Sequence, residues 1–563
     1  MCGIFLLLNN NGEFDHKFVD DQFNKGRNRG PEYSKIETLA PDCTIGFHRL
    51  AINGLDEKSH QPFNINNTML ICNGEIYNYK ELYRLMDIAP ETNSDCEVII
   101  HLYKRYGIDQ AIHMLDGVFA FALYDLSINQ IFIARDPYGI RPLYMFTTPT
   151  DSCIIGVASE LKTLIQFTTD ESRIDHFKPG TYQSIFYNKS TNCWEFKDPK
   201  VNEIRYHSTC TFSNFSHAPL EDIYKNIRFY LQRAVNKRCI STDRPIACLL
   251  SGGLDSSLIT ALVNEYYKEM HPGKQLETFS IGLANSEDIK YARIVADYLQ
   301  TKHTEIIVTE DDFFNSIPEV IQNIESYDTT SVRACLGNYA LGKYISKYSE
   351  AKVIFNGDGS DELCGGYLYM YKAPDAIEFD KEARRLLNDI YLFDVLRSDK
   401  SISSHGLEPR TPFLDKDWVQ YYLSIHPSIR YHPGNKQCEK FLLRSAFSLS
   451  SGSSFLNNKG EKLLPDEILW RTKEAFSDGV STHGRSLFTI LQEKIAKLDR
   501  YQTQNQDLTP IGLEKHYYKS LFEENYRNAL NVVPYFWMPK FIDATDPSAR
   551  TLTIQSLVKG GVA

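Results

Sequence analysis

Seven residues, Ser251 to Ser257 (SGGLDSS), combine the backbone freedom and side chains needed to hold a chain of phosphates. They follow the apolar run Pro245 to Leu250 and precede a helical pattern from Ser256 to Met270, so they read as a strand, a tight turn and a helix start. Two adjacent glycines, Gly252 and Gly253, let the backbone turn sharply and approach a ligand, and the free N–H groups of a new helix favour an anion. Ser251, Ser256 and Ser257 add hydroxyls at the same point. Asp255 places a carboxylate where a magnesium ion bridging phosphates needs an oxygen ligand. The turn lacks the lysine of G-x-x-x-x-G-K-[ST], the loop that holds a γ-phosphate for transfer. It suits a site that grips pyrophosphate as a leaving group, with ATP split between its α and β phosphates.

A second chemistry stands at the start of the chain, Met1-Cys2-Gly3-Ile4. Removal of Met1 leaves Cys2 with its own α-amine, of pKa about 7.7 to 8, as a neighbouring base. A thiol so paired is an activated nucleophile. Acyl transfer from an amide also needs oxyanion donors and groups that hold the substrate's charges. Arg49 can fork a carboxylate, Asn73 and Gly74 offer a side-chain amide and a backbone N–H at one point, and Asp95 can hold an ammonium. Each also has an ordinary reading: Arg49 as a surface ion pair, Asn73-Gly74 as a hairpin turn, Asp95 as a helix cap.

The elements that must position these residues differ between the two halves. Up to about residue 183 the chain is rich in short strand-like runs: Gly3 to Leu8, Thr44 to Ile52, Thr68 to Cys72, Val118 to Tyr124, Gln130 to Ala134 and Cys153 to Ala158. Amphipathic patterns at Asp95 to Tyr106 and Asp109 to Leu115 supply helices, so this half is expected to be a two-sheet α+β layer. A polar stretch with little periodicity, Gln183 to Pro219, marks a boundary. Beyond it, helices alternate with the apolar runs Pro245 to Leu250, Leu276 to Gly282, His303 to Thr309 and Lys352 to Phe355, the pattern of a parallel α/β sheet. Ligands of such sheets lie past the carboxyl ends of the strands, where Ser251, Gly282 and Gly357 fall. From Phe379 the chain reads as mostly helical, with a looser tail after Thr545.

At 563 residues the chain is too long for one core. A net charge of -11 without a basic tract argues against nucleic acid and anionic membranes as partners. Twelve cysteines without a C-x-x-C pair point away from zinc ribbons and toward buried thiols in a reducing, cytoplasmic setting. The apolar run Ile4 to Leu8 is too short for a signal peptide, and no run reaches membrane-spanning length.

These stretches carry a resemblance. Residues 1–185 resemble the N-terminal-nucleophile glutaminase domain of class II glutamine amidotransferases, through Met1-Cys-Gly-Ile4, Arg29-Gly-Pro31, Arg49-Leu50, Asn73-Gly-Glu-Ile-Tyr-Asn78, Ser94-Asp95, Asp116 to Phe121 and Ala134-Arg-Asp136. The resemblance implies an αββα fold in which Cys2 attacks L-glutamine, Asn73 and Gly74 form the oxyanion hole, and Arg49, Leu50, Ala51, Ile52, Asn53, Glu75 and Asp95 hold the substrate. Residues 220–563, after a linker at 186–219, resemble the asparagine synthetase family, an ATP-pyrophosphatase-type parallel-sheet domain with a helical C-terminal part. The matching stretches include Cys248 to Ser257, Phe279 to Gly282, Gly357-Asp-Gly-Ser-Asp-Glu362, His405-Gly-Leu-Glu408, Pro412 to Asp415, Lys473 to Gly479 and Asp546-Pro-Ser-Ala-Arg550.

In that family ATP adenylates the β-carboxylate of L-aspartate, and ammonia from the other site displaces AMP. The resemblance implies a nucleotide site at Leu250, Ser251, Gly252, Gly253, Asp255, Ser256, Ser257, Ile281, Asn356 and Gly357. It implies Mg2+ on Asp255 and Asp361, catalytic roles for Asp358 and Lys473, and aspartate binding by Thr330, Ser331 and Arg333. Departures from the family pattern sit at Asn28, Asn356, Asp358, Ser331 and Cys335, so an amidotransferase acting on another carboxylate, or a homologue without turnover, stays as an alternative. A homodimer and an apolar tunnel between the two sites are further expectations.

Overall fold

The opening strand, Gly3–Leu8, lies near the middle of its sheet and is buried on both faces, as an unbroken apolar run requires. Ile4, Leu6 and Leu8 point between two sheets, joining Ile45, Phe47, Ile71, Ala120 and Ile133. Phe5 and Leu7 point the other way, with Val19 and Phe23 of the helix His16–Asn24. The strand pairs antiparallel with Cys43–Arg49 and Ile155–Ala158 inside a six-stranded sheet. A second, seven-stranded sheet contains the long antiparallel pair Thr68–Ile76 and Gly117–Asp125. Its outer face carries the helices Tyr79–Met86 and Val98–Met114 through Leu82, Ile99, Leu102, Phe119 and Phe121. The layers run helix, sheet, sheet, helix, the αββα order expected. This computed structural model describes all residues except 150–152, 170, 198–202, 210–217, 449–455, 458–459, 483, 499–508 and 549–563. Ala549 and Arg550 of the closing motif, and nearly all of the expected loose tail, lie outside the described residues.

Three local readings are settled by the fold. Asn73 and Gly74 are not a hairpin turn: the strand runs on to Ile76, with Asn73 opposite Ala120 and Gly74 opposite Phe119. A Cβ on Gly74 would stand 2.4 Å from the Val118 carbonyl oxygen, so the strand can pass only as glycine. The hairpin Thr181–Asn188 to Cys193–Phe196 extends the second sheet, so the stretch read as linker from 186 begins as sheet. The patterns at 95–106 and 109–115 form the 3-10 turn Asp95–Glu97 and one helix, Val98–Met114, broken at Gly107 where φ is 78°.

The second half holds a five-stranded parallel sheet in the order Lys302–Val308, Glu277–Leu283, Ile246–Leu249, Val353–Phe355, Glu408–Arg410. Four of these strands were legible as apolar runs. The fifth, Glu-Pro-Arg, is an edge strand without one; it is buried because Arg410 pairs with Glu408 at 2.9 Å and donates to the Ser241 carbonyl at 2.8 Å. Among the described residues no helix is long and apolar enough to cross a membrane.

Candidate active sites

Cys2 stands just ahead of the strand Gly3–Leu8, facing Asn73 of the strand Thr68–Ile76 and the loop that follows Arg49. Its backbone N–H donates to Asn73 Oδ1 at 3.1 Å, its Sγ lies 3.7 Å from the Leu50 carbonyl, and its own carbonyl accepts from Arg29 Nε at 2.9 Å. Burial pushes the thiol pKa up, opposed by the adjacent amino terminus. Met1 is itself buried, with its ammonium 3.6 Å from Glu408 Oε2 and its pKa lowered by burial.

Arg49 donates to the carbonyls of Asn53, Gly54 and Asp56 and to His60 Nδ1, which curls residues 50–54 around its guanidinium. This loop is also held from the second half. Ala51 O accepts from Arg244 Nε at 2.8 Å, Ile52 O from Asp243 N at 2.9 Å, and Gly54 N donates to Asp243 Oδ2 at 2.9 Å. Asn53 Nδ2 donates to Glu75 Oε2 at 2.5 Å and lies 3.4 Å from Asp95 Oδ1. Asp95 caps the strand end by accepting from Ile76 N at 2.6 Å. Two carboxylates are thereby buried together. Burial lifts the Asp95 pKa to about 6, and burial with the Asp95 charge lifts Glu75 well above the usual carboxylate range. Arg410, from the unexpected fifth strand, approaches Glu75 at 3.4 Å. Such a pair is short of positive charge, which is the condition for holding an ammonium.

The second site is a cleft past the carboxyl ends of the parallel strands, lined by Leu250, Ser251, Gly253, Asp255, Ser256 and Ile281, and further round by Asn356, Gly357, Asp358, Asp361, Thr330 and Lys473. Sequence reasoning placed all twelve there. Ser251 and Ser256 Oγ lie 3.0 Å apart and the Gly253 N–H points to Ser251 Oγ at 3.4 Å, so the turn closes on itself with its hydroxyls at the cleft. Gly357 packs on Asp255, where a Cβ would come within 2.8 Å of its backbone.

Three expected residues fall elsewhere. Gly252, at φ 72°, packs on the helix Glu287–Leu299, 2.4 Å from the Ala292 nitrogen if it carried a Cβ, and serves the turn rather than the cleft. Ser257 is fully buried on the inner face of its helix, and Ser331 is buried with its N–H on the Asp328 cap at 2.8 Å; neither lines the cleft. Helical spacing turns both inward. Arg333 is changed in a different way. It is gripped by Glu514 at 2.8 and 2.6 Å and by Asp546 at 2.8 and 2.8 Å, so it offers a substrate carboxylate no two-pronged fork and keeps only one N–H, on Nη1, at the edge of a neighbouring cavity.

Lys473 Nζ lies 2.6 Å from Asp361 Oδ2 and 3.8 Å from Asp255 Oδ2. A second lysine, Lys440, bridges the same carboxylates, at 2.6 Å from Asp255 Oδ2 and 2.6 Å from Asp361 Oδ1. Each oxygen of Asp361 is thus met by an ammonium, Oδ1 by Lys440 and Oδ2 by Lys473. The two lysines hold Asp361 well below the usual carboxylate range. Asp358 is turned the other way, 3.5 Å from Arg397, and burial raises its pKa. Sequence reasoning gave neither Lys440 nor Arg397 a site; a basic residue far along the chain has no local signal that it faces Asp255 or Asp358.

One helix touches both sites. Asp394–Ser403 gives Arg397 to Asp358 on one face, and on the other gives Asp399 and Ser403 to Arg29 at 2.7 and 2.9 Å, next to Cys2. Arg29 also pairs with Glu160 at 2.8 Å.

The match to "Glutamine amidotransferase domain" covers residues 1–200, and that to "Asparagine synthase" covers 226–380 and 375–539. The asparagine synthetase [glutamine-hydrolyzing] of Gallus gallus is 41% identical over 572 residues, covering 98% of both chains. That of Homo sapiens is 39% identical over 578 residues, covering 98% of this chain and 99% of its own. Among solved structures, a glutamine phosphoribosylpyrophosphate amidotransferase from B. subtilis is a distant likeness, with TM-score 0.29 and 16% identity over 52% of this chain and 79% of that one. With relatives about two-fifths identical from end to end and both halves matched, the chain belongs to the family of glutamine-hydrolysing asparagine synthetases.

Proposed function

We propose that this chain makes L-asparagine from L-aspartate, ATP and L-glutamine, releasing AMP, pyrophosphate and L-glutamate. What supports the reading is that the thiol site and the phosphate-gripping cleft are both built, and are tied together by the helix Asp394–Ser403 and by an apolar cluster. That cluster holds Met1, Leu50, Ile52, Val118 and Tyr138 of the first half with Leu250, Leu254 and Phe413 of the second.

Removal of Met1 converts the Cys2 nitrogen, now an amide bonded to Asn73 Oδ1, into an α-amine that takes the Sγ proton. Sγ attacks the glutamine amide carbon, and Asn73 Nδ2 with the Gly74 N–H meets the oxygen as it gains charge. Glu75 and Asp95 hold the substrate ammonium, and Arg49 with residues 50–53 closes the pocket. The α-ammonium returns that proton to the amide nitrogen as the C–N bond breaks, ammonia leaves, and water later releases glutamate from the thioester. In water near neutral pH ammonia is mostly protonated and has no lone pair, so a dry route between the sites is needed. The apolar cluster of Met1, Leu50 and Ile52 with Leu250 and Leu254 is the region such a route would cross.

In the cleft, Ser251, Gly253 and Ser256 grip the β and γ phosphates, and Leu250 and Ile281 flank the nucleoside. The aspartate β-carboxylate attacks the α-phosphorus, pyrophosphate leaves, and ammonia then displaces AMP from the acyl carbon. Lys473 neutralises charge that builds between the two anions. Asp255 and Asp361 would hold a magnesium ion: their carboxylates converge on one point of positive charge, where the Lys440 ammonium lies 2.6 Å from an oxygen of each. No group of three or more His, Cys, Asp or Glu side chains able to hold a metal alone exists among the described residues, which suits an ion that arrives with phosphate ligands. When bound it neutralises phosphate charge.

The test is product analysis with Cys2→Ala. Glutamine-dependent asparagine formation is expected to vanish while ammonium-dependent formation, with AMP and pyrophosphate, persists. ADP and phosphate as products, or no turnover of aspartate, would overturn the reading.

A further inference from the structure

The motif at Asp546-Pro547-Ser548 has no role in the reaction described above. It lies against a small cavity that adjoins the cleft, for Thr330, Tyr367, Ala475 and Ser477 line both. The outer wall of this cavity is Trp537, Pro539, Pro547 and Ser548, and Arg333 faces it from the helix Thr329–Tyr348.

Arg333 is held on two edges. Nε and Nη2 donate to Glu514, and Nη1 and Nη2 donate to Asp546. These bonds use four of the guanidinium's five N–H groups; the one left over is on Nη1. Gln492 Nε2 donates to both carboxylates, at 3.0 and 3.1 Å. The Ser548 N–H donates to Asp546 Oδ1 at 2.8 Å, and Ser548 Oγ donates to Asp478 Oδ1 at 2.8 Å, which anchors the segment. One bidentate carboxylate already neutralises a guanidinium, so the second is not needed for charge. What it adds is direction, because a planar fork gripped on two edges cannot swing. Beside it, Thr330 Oγ1 is buried without a hydrogen-bond partner and lines the same cavity.

We propose that Asp546 is a positioning residue of the acceptor pocket. By fixing Arg333 it aims the remaining Nη1 hydrogen, next to Thr330 Oγ1, at a carboxylate of a short dicarboxylic amino acid seated between the clamp and the nucleotide. This deepens the reading of the cleft as an aspartate-activating site and rests on it. Pro547 and Ser548 then limit the length of the acceptor.

The full chain carrying Asp546→Asn tests this by steady-state kinetics. The expected result is a KM for L-aspartate raised about tenfold or more, with kcat, KM for ATP and glutamine hydrolysis changed less than about twofold. Asp546→Glu should recover part of the loss, and Ser548→Ala should raise the same KM more weakly. An unchanged KM overturns the proposal. So does a lower KM, which would mean that Asp546 competes with substrate for Arg333, and so does a parallel fall in every activity, which marks a merely structural clamp. If the wild-type chain forms no AMP from aspartate, the function reading fails first. Equilibrium dialysis of L-aspartate then reads the clamp, and equal affinity in wild type and Asp546→Asn overturns it.

Discussion

Replacing Asp95 with asparagine separates a charge needed for binding from the cost of burying it. The side chain is 4% exposed, and burial is the largest cause that lifts its pKa from 3.8 to about 6. Between about pH 4 and pH 6 the folded chain keeps a proton that the unfolded chain gives up, so stability falls as pH rises through that window. Above pH 6 the penalty is complete. At about 1.4 kcal/mol for each pH unit it comes to about 3 kcal/mol, an order of magnitude only. Asparagine can still accept from the Ile76 N–H, now at 2.6 Å, but carries no charge.

Asp95→Asn should therefore melt higher than wild type at pH 7.5, with the difference shrinking toward pH 4.5. It should also lose the partner of the substrate ammonium. Breaking one side of a buried, hydrogen-bonded charge pair costs about 3–5 kcal/mol, so KM for glutamine should rise at least about a hundredfold while ammonium-dependent synthesis is kept. Calorimetric scans at the two pH values and glutaminase kinetics give both numbers. A variant with wild-type KM, or one that melts lower at pH 7.5 and equally at pH 4.5, would refute the assignment of a charged, strained Asp95.

Gly74→Ala should abolish glutamine use and spare ammonia use, since its methyl would stand 2.4 Å from the Val118 carbonyl oxygen and displace the N–H aimed at the oxyanion. The glutaminase rate reads it, and a rate within twofold of wild type, at about 0.4 kcal/mol, would count against the oxyanion role. Lys473→Met, which removes the ammonium 2.6 Å from Asp361, should lower AMP formation about 10²–10³-fold with glutamine hydrolysis intact. Pyrophosphate release measured with saturating ammonium checks it.

Patterns of apolar residues made most of the architecture readable. GIFLLL at 3–8 and the runs ending at Leu250, Gly282 and Phe355 are strands because continuous apolar side chains must be covered on both faces, and their period needs no tertiary partner to be seen. The turn 251–257 was readable because adjacent glycines between a strand and a helix have few other uses. For Asn73-Gly74 a hairpin turn stood beside the oxyanion reading, since nothing local tells a glycine in a turn from one squeezed by a neighbouring carbonyl.

Charges separated widely in sequence were settled only by folding. Glu408–Arg410 is buried through ion pairs and not through apolar matter, so hydropathy hid it. Lys440 meets Asp255 across 185 residues, and Arg333 meets Asp546 across 213. The residue types alone named a thiol chemistry and a phosphate chemistry. Which arginine is free to meet a substrate, and which is already held by carboxylates, depended on where distant segments came to rest, because an ion pair is a property of distance and a sequence carries none.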